Sequence, residues 1–261
     1  MGEIIKDWDG RHYDKFSCHQ KEWGNALIQE LKIKGNERIL DLGCGNGHTT
    51  RRLAALVPLG EVIGIDASAK MLEVAREKCS PNMKVKLLEI NDLDYEDEFD
   101  IIFSSATLHW IIDHKRLLLN ICRALKPSGY MRVQFAADGN CSTLINVLKK
   151  LMELPEYANE FKNFKWPWFF PKAGEYQELI NQVPFNETKI WIENNDRLFK
   201  TEEEIVAWID NPSLIPFIQA ISDKVKKNFR DEVVKEMLLR TKQANETFFE
   251  TFRRINVFAF K

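Results

Sequence analysis

The first half of the chain alternates short apolar runs with longer segments whose apolar residues recur at helical spacing. The apolar runs predict five strands, over residues 37–43, 61–66, 84–90, 99–105 and 130–137. The segments 48–57 and 68–79 predict helices, as does the stretch that follows Asp113, and both Ser68 and Asp113 are predicted N-caps. This alternation predicts right-handed βαβ crossovers and a parallel sheet that is covered on both faces.

The second half of the chain is mostly helical and carries two further strands. Residues 189–199 predict a sixth strand and residues 255–260 a seventh. We therefore predict an α/β fold with one doubly wound, mostly parallel seven-stranded sheet, in a single domain over residues 1–261. The helical segments 1–30, 141–183 and 201–245 are predicted to form a cap over the carboxyl ends of the strands, because an open site at that edge needs walls.

One stretch of the second half, FKWPWFFP over residues 164–171, concentrates aromatic side chains around two prolines. It is consistent with a hydrophobic core beneath a helical insertion. The alternative is a lid that makes an apolar pocket and excludes water, which the pattern favours less than the core. Both interpretations can hold for different rings of the same stretch.

Composition and charge remove several classes of function. The formal net charge is −2, with basic residues spread along the chain, so we predict no nucleic-acid partner. No apolar run approaches the roughly 18 residues of a membrane span, and the acidic start has no signal-peptide core. The five cysteines form no C-x-x-C pair and the five histidines show no zinc-ligand spacing. We therefore predict a cytoplasmic protein with reduced thiols, no membrane association and no metal.

The first predicted strand ends in a glycine-rich loop, LDLGCGNGHTT. Glycines at 43, 45 and 47 allow a sharp turn and a close approach of backbone to ligand. A nicotinamide-binding loop has the spacing G-x-G-x-x-G, whereas this loop has G-x-G-x-G. Asp41 stands two residues before the first glycine, where a carboxylate would oppose a pyrophosphate but favour a ligand that carries positive charge.

Two more acids follow the next strands. Asp66 ends the second strand, where a carboxylate can accept both hydroxyls of a ribose in a doubly wound fold. Asp92 follows the third strand, where an adenine amino group can donate to it. Either acid alone is equally well explained as a helix cap or a solvated turn. Their order along consecutive strand ends of one sheet indicates a nucleoside site.

The segment 37–138 resembles the class I S-adenosylmethionine-dependent methyltransferases, through LDLGCGNG, GIDAS..ML, ND and LKPSGYM. The closing INVFAF is similar to the family's last strand, which runs antiparallel to the others. The resemblance implies that S-adenosylmethionine is the cofactor, with its methionine end on Asp41 and the loop glycines and its ribose on Asp66. It implies an adenine contact for Met71 and Asp92. The complete set of implied cofactor-binding residues is Asp41, Gly43, Gly45, Asp66, Ala67, Met71, Asp92, Leu93 and Ser104.

The segment LHW at 108–110 bears on the substrate. Trp110 follows the fourth strand, and its indole N–H can donate to an acceptor; Gln20 lies in a predicted N-terminal helix. Both are neutral donors, which orient a carboxylate without quenching its nucleophilicity as a strong cation would. LHW is similar to the segment of the trans-aconitate, juvenile hormone acid and plant salicylate-type carboxyl methyltransferases, and Ser17-x-x-Gln20 resembles the latter two. The tyrosine–aspartate start at Tyr13 and Asp14 resembles the malonyl-carrier-protein methyltransferases. In the plant-type enzymes this resemblance implies that Gln20 and Trp110 grip the substrate carboxylate, although Phe16 replaces the asparagine that precedes the serine there.

The predicted function is therefore O-methylation of a small-molecule carboxylate, with Gln20 and Trp110 as the catalytic residues. A carboxylate needs no catalytic base, because it is ionised at neutral pH. Methylation of nitrogen, carbon or another oxygen, and non-catalytic binding of S-adenosylmethionine, remain alternatives. Trp110 is equally well explained as a ring that seals the sheet edge. His109 is better explained as a capped or satisfied residue than as a base.

Overall fold

The computed structural model describes residues 18–261, apart from the side chains of Cys18, His19 and Pro212. Its strands are β1 (Arg38–Leu42), β2 (Glu61–Asp66), β3 (Met83–Leu87), β4 (Phe99–Ser105), β5 (Leu125–Ala136), β6 (Glu187–Asn194), β7 (Arg197–Phe199), β8 (Phe248–Glu250) and β9 (Arg253–Phe260). Its α-helices are α1 (Cys18–Gln29), α2 (His48–Leu56), α3 (Ala69–Arg76), α4 (His114–Ala124), α5 (Ser142–Met152), α6 (Ala173–Ile180), α7 (Glu202–Trp208), α8 (Ile215–Gln219) and α9 (Asp223–Thr241). Short 3-10 helices cover Ile90–Asp92 and Leu108–Trp110, and a π-helical segment covers Ile209–Ser213.

Seven strands form one sheet in the order β3-β2-β1-β4-β5-β9-β6. Neighbours from β3 to β5 pair in parallel, and β9 pairs antiparallel with β5. The predicted α/β fold with its reversed last strand is thereby confirmed. The predicted N-caps are also confirmed, because Ser68 accepts from the Met71 N–H and Asp113 from the Arg116 N–H.

The sixth predicted strand is wrong in its extent. Residues 189–199 do not form one strand: β6 ends at Asn194, and β7 pairs with β8 in a separate two-stranded sheet. The break falls at Asn195 and Asp196. Asp196 accepts bonds from the Thr251 hydroxyl and the Phe252 N–H, which hold the irregular segment between β6 and β7. The short strand β8 was not predicted.

The described residues divide into two compact units. The sheet unit contains residues 18–138, 168–193 and 254–261, and the helical unit contains residues 139–167 and 194–253. In the helical unit, aromatic rings pack around Phe229. The Tyr157 ring lies 5.0 Å and the Phe161 ring 5.1 Å from that of Phe229, measured between centroids, and Phe217 packs against Phe161. The aromatic stretch 164–171 is shared, because the boundary between the units falls after Pro167. Phe164 therefore packs in the helical unit, whereas Trp168 and Phe170 belong to the sheet unit.

The sheet has two covered faces within its own unit. The α1 face has a core to which α1, α2 and the strands contribute, for example Leu27 and Ile101. The α4 face has a larger core that includes Leu118 of α4, Tyr176 of α6 and Phe135 of β5. Successive residues of a strand point to opposite faces, so each strand contributes alternate side chains to these two cores.

Candidate functional site

The glycine loop after β1 has the backbone that a ligand cradle requires. Gly43 and Gly45 have φ of 70° and 52°, in the left-handed region that favours glycine. A Cβ on Gly43 would lie 2.0 Å from the Thr107 Cγ2, so no side chain fits there. The N–H groups of Gly43 and Cys44 both donate to the Ile65 carbonyl at 2.9 Å, which ties the loop to the end of β2.

Of the two predicted acids, Asp66 bonds to this loop and Asp41 bonds to helix α2, which follows it. Asp66 accepts from the Gly45 N–H through Oδ2 and from the Ser68 N–H through Oδ1, each at 2.9 Å. Asp41 is 1% exposed and accepts from the Thr50 hydroxyl at 2.7 Å. Burial, helped by the charge of Asp66, raises the pKa of Asp41 to about 7, and burial also raises the pKa of Asp66. A buried and a half-buried carboxyl at the ends of neighbouring strands favour a cationic ligand.

The predicted adenine residues Met71 and Asp92, and the predicted cofactor residues Ala67 and Leu93, occupy different environments. Met71 is buried, and its Cε would lie 3.7 Å from a Cβ on Gly45, so the structure brings it to the loop. Ala67 is half-buried between Asp66 and the start of α3. Asp92 is exposed and pairs with Arg116 at 3.1 Å, while the Leu93 side chain is buried in the core of the α4 face.

Two adjacent serines end β4 and point to opposite faces. The predicted residue Ser104 is fully buried, and its hydroxyl donates to the Leu42 carbonyl at 2.8 Å, which links β4 to β1. The Ser105 hydroxyl is buried and has no hydrogen-bond partner among residues 18–261. A Cβ on Gly24 of α1 would lie 3.7 Å from that hydroxyl, so Ser105 faces α1.

The LHW segment forms a 3-10 turn that is held by a hydrogen bond from His114. His114 Nε2 lies 3.0 Å from the Leu108 carbonyl, which only accepts, so Nε2 carries the proton. Its Nδ1 therefore accepts from the Tyr176 hydroxyl at 3.1 Å. Burial lowers the pKa of His114 to about 4 and raises that of Tyr176, so this neutral arrangement persists at physiological pH. The Phe169 N–H also donates to the His109 carbonyl at 2.9 Å.

Aromatic rings surround the predicted residue Trp110. The Trp110 ring lies 5.8 Å from Trp168 in an edge arrangement, and Trp168 stacks on Phe170 at 5.5 Å. The His109 ring lies 5.4 Å from Trp110 and 5.9 Å from Phe170. Trp168 and Phe170 are functional candidates that the aromatic pattern of 164–171 indicated only as a group.

Helix α1 carries the second predicted substrate residue. Gln20 is half-buried, and its Oε1 has no hydrogen-bond partner in the described part of the chain. One turn later, the Trp23 ring lies 4.5 Å from the Arg254 guanidinium carbon. Ser17, Tyr13 and Asp14, which also carried the resemblance, lie outside the described residues.

Arg254 and its neighbours were missed by the sequence reasoning. Arg254 is 2% exposed and Asn256 is fully buried, both on β9. Gln134 of β5 donates to Asn256 at 3.0 Å. The sequence does carry a sign of these buried polar residues. Arg and Asn in RINVFAF, and Arg and Gln in MRVQFAA, stand at alternate positions and break the apolar pattern of two buried strands.

Comparisons with known proteins agree with this geometry. The model of a family described as a methyltransferase domain matches residues 33–201, more than half of the chain. The chain is 27% identical over 233 residues to the putative methyltransferase 235L of Invertebrate iridescent virus 6, covering 89% of this chain and 86% of that protein. It is 26% identical to a trans-aconitate 2-methyltransferase of Mycobacterium tuberculosis, covering 87% and 86%. It matches the structure of Haemonchus contortus phosphoethanolamine N-methyltransferase 2 with a TM-score of 0.61 at 19% identity, covering all of this chain and 60% of that one.

The chain therefore belongs to the methyltransferase domain family. It is an S-adenosylmethionine-dependent methyltransferase, as predicted. The loop glycines, with their positive φ, and the carboxyls of Asp41 and Asp66 fit this cationic cofactor. Among the described residues, no helix combines the length and apolar character needed to cross a membrane. Within residues 18–261, no group of three or more His, Cys, Asp or Glu side chains is placed to hold a metal ion.

Proposed function

We propose that this enzyme O-methylates the carboxylate of a small organic acid. The observation that supports the proposal is the character of the polar side chains that end β4, begin β9 and project from α1. Gln20 and Trp110 are neutral donors, His109 stays neutral, and Arg254 is a cation. All four suit a negatively charged substrate.

His109 is a poor catalytic base in this setting. Burial, then the charges of Arg254 and His114, lower its pKa well below the ordinary 6.5. An ammonium substrate must lose a proton before its nitrogen accepts a methyl group, and a weakly basic imidazole assists that step little. A carboxylate is ionised at neutral pH and has no such requirement.

Gln20 and Trp110 act by orientation. Methyl transfer is an in-line displacement, so a correctly placed nucleophile supplies much of the rate. The Gln20 Oε1 is buried, and a flip of the amide brings Nε2 to the same position, where it donates to a carboxylate. When bound, S-adenosylmethionine supplies the methyl group and the leaving group. We assign the cofactor to Asp41, Gly43, Gly45, Asp66, Ala67, Met71, Asp92, Leu93 and Ser104.

The relatives support the carboxylate over other acceptors. A trans-aconitate 2-methyltransferase is named for an acid and matches most of this chain. The phosphoethanolamine N-methyltransferase matches at the level of the fold alone. The test must therefore distinguish methylation of a carboxylate from methylation of a nitrogen.

The test is methyl transfer from labelled S-adenosylmethionine to a panel of acids, amines and phenols. The proposal predicts products whose label is released by mild alkali, as expected of methyl esters. Trp110→Phe keeps most of the ring but removes the N–H, so it should raise KM for the acid about tenfold or more while stability changes little. Gln20→Ala should behave alike. The control, Trp191→Phe, alters a ring whose N–H bonds the exposed Glu193 and should leave KM unchanged. Alkali-stable products alone would refute the proposal.

We also propose that the segments 1–30, 141–183 and 201–245 cap the carboxyl ends of the strands in a single methyltransferase domain. The support is that these segments carry most of the tryptophans and that the cofactor loop needs walls. Hydrogen exchange with and without S-adenosylhomocysteine tests it. Slower exchange in 141–183 and 201–245 on binding is expected, whereas unchanged exchange in both would contradict a cap that closes on the ligand.

A further inference from the structure

The α1 face changes character along the strands. Near the start of the parallel strands it is apolar, with Ile39 and Ile101 in its core and Tyr130 stacked on Phe258 at 4.9 Å. Towards their carboxyl ends the same face becomes polar. The register places Ser105 beside Gln134 and Gln134 beside Asn256, so three polar residues form a row across β4, β5 and β9.

This row has unused hydrogen-bonding capacity. The Ser105 hydroxyl, the Gln134 Oε1 and the Asn256 Nδ2 are buried and lack hydrogen-bond partners among the residues described. Gln134 and Asn256 are 6% and 0% exposed. Buried polar groups are nearly always satisfied in native proteins, so a row of three such atoms on one face indicates a bound polar group.

Arg254 lies next to this row on the same face of β9. It lies two residues before Asn256, on the same face, and opposite Ala136 of β5. Its guanidinium packs over the Trp23 ring of α1, and its charge acts on His109, the neighbour of Trp110. Arg254 thus contacts the helix that carries Gln20 and acts electrostatically on the neighbour of Trp110.

The charged side chains of this face differ between the two ends of the sheet. Asp66 and Asp41 on β2 and β1 are acidic, Ser105 and Gln134 on β4 and β5 are neutral, and Arg254 on β9 is basic. Arg132 of β5 also lies on this face, but it pairs with Glu30, just after α1, at 3.0 Å and donates to the Asn256 Oδ1 at 2.8 Å. The acidic end suits the cationic cofactor. The basic end lies three strands away from Asp41, since β4 and β5 intervene between β1 and β9.

A guanidinium that paired with the reacting carboxylate would withdraw the electron density that attacks the methyl group. It serves better by holding a different anionic group. We propose that Arg254, with the Ser105–Gln134–Asn256 row, forms a second subsite that binds an additional anionic group of the substrate. This inference rests on the proposed carboxyl methylation and specifies its substrate class as acids with two or more acidic groups. Arg254 is the residue that selects them.

The first arm of the test uses the unaltered protein. Binding of succinate, glutarate and adipate, each compared with its half-amide, is measured by calorimetry in the presence of S-adenosylhomocysteine. A half-amide keeps the size of the diacid but replaces one charge by a neutral group. At least one diacid should bind roughly 10- to 100-fold more tightly than its half-amide, as expected for a lost charge-assisted bond. If no diacid is preferred over its half-amide, the second subsite is refuted without any mutation.

The second arm uses Arg254→Gln, with Arg254→Lys as a variant that retains the charge. Arg254→Gln should remove the preference for the diacid and leave the half-amide affinity unchanged, while Arg254→Lys keeps part of the preference. Affinity for S-adenosylhomocysteine should not change in either variant, which also verifies folding. The matched control is Arg253→Gln, one residue earlier on β9, whose side chain packs at Gly139. Equal losses for the diacid and its half-amide would show that Arg254 only supports the fold.

The outcomes separate this inference from the proposed function. If the diacid preference depends on Arg254 but only alkali-stable products form, the subsite stands and carboxyl methylation fails. If methyl esters form while diacids and half-amides bind equally, carboxyl methylation stands and the second subsite is refuted.

Discussion

The two faces of the central sheet are built from alternate residues of the same strands, yet they differ at the carboxyl ends. On the α4 face, Val133 and Phe135 of β5 and Ile255 of β9 stay apolar and fully buried. On the α1 face, Gln134 and Asn256 from those strands are polar and also buried. Burial of apolar side chains stabilises a fold, whereas burial of polar ones with unused capacity does not.

This difference indicates a division of labour. The α4 face supplies stability and fixes the LHW turn through His114. We propose that the α1 face supplies recognition, with Asp41 and Asp66 near the glycine loop and Arg254 on β9. The same strand can serve both purposes because its side chains alternate.

The largest expected effect is on the α4 face. Phe135→Ala empties a fully buried site beside His114 and Tyr176 and should lower the free energy of unfolding by about 3–5 kcal/mol. Denaturant unfolding measures the loss. Gln134→Ala, its neighbour on the other face, should cost only on the order of 1 kcal/mol. The comparison fails if Gln134→Ala is the more destabilising change.

A smaller effect concerns the acidic end of the α1 face. Because burial raises the folded-state pKa of Asp41 to about 7, above its unfolded value, its contribution to stability without ligand is present at low pH. That contribution is lost as the pH rises from about 4 to about 7. A cationic cofactor favours the ionised form and releases the proton. Its affinity should therefore rise about tenfold between about pH 6 and about pH 8 and then level off.

Calorimetry across this pH range measures the effect. Asp41→Asn should bind the cofactor more weakly and without this pH dependence. Asp94→Asn removes a carboxylate that is 93% exposed and should retain the dependence. A flat profile in the unaltered protein would show that Asp41 does not exchange a proton on binding.

The smallest effect compares two adjacent serines on opposite faces. Ser104→Ala loses a 2.8 Å bond to the Leu42 carbonyl and should cost about 1 kcal/mol of stability, with acid binding unchanged. Ser105→Ala removes a hydroxyl that has no partner in the described chain, so stability should change less, while acid binding weakens. The reverse pattern would place the substrate on the α4 face.

The sequence predicted the sheet well because its signals are local. Apolar runs bounded by Gly, Pro and N-caps identify β1 to β5, and the G-x-G-x-G spacing identifies the tight glycine loop after β1. The break at Asn195 and Asp196 depends on bonds from Thr251 and Phe252, some 55 residues away in sequence, which no local pattern contains. The polar row was missed for the same reason, since Ser105, Gln134 and Asn256 become neighbours only through strand register.

The most direct test of this account is where a bound acid lies. A crystal structure with S-adenosylhomocysteine and the acid that turns over best in the panel answers it. We predict one carboxylate within hydrogen-bonding distance of the Gln20 and Trp110 side chains, and the rest of the molecule over the Ser105–Gln134–Asn256 row with an anionic group on Arg254. An acid bound away from the α1 face, with those side chains unengaged, would contradict the account.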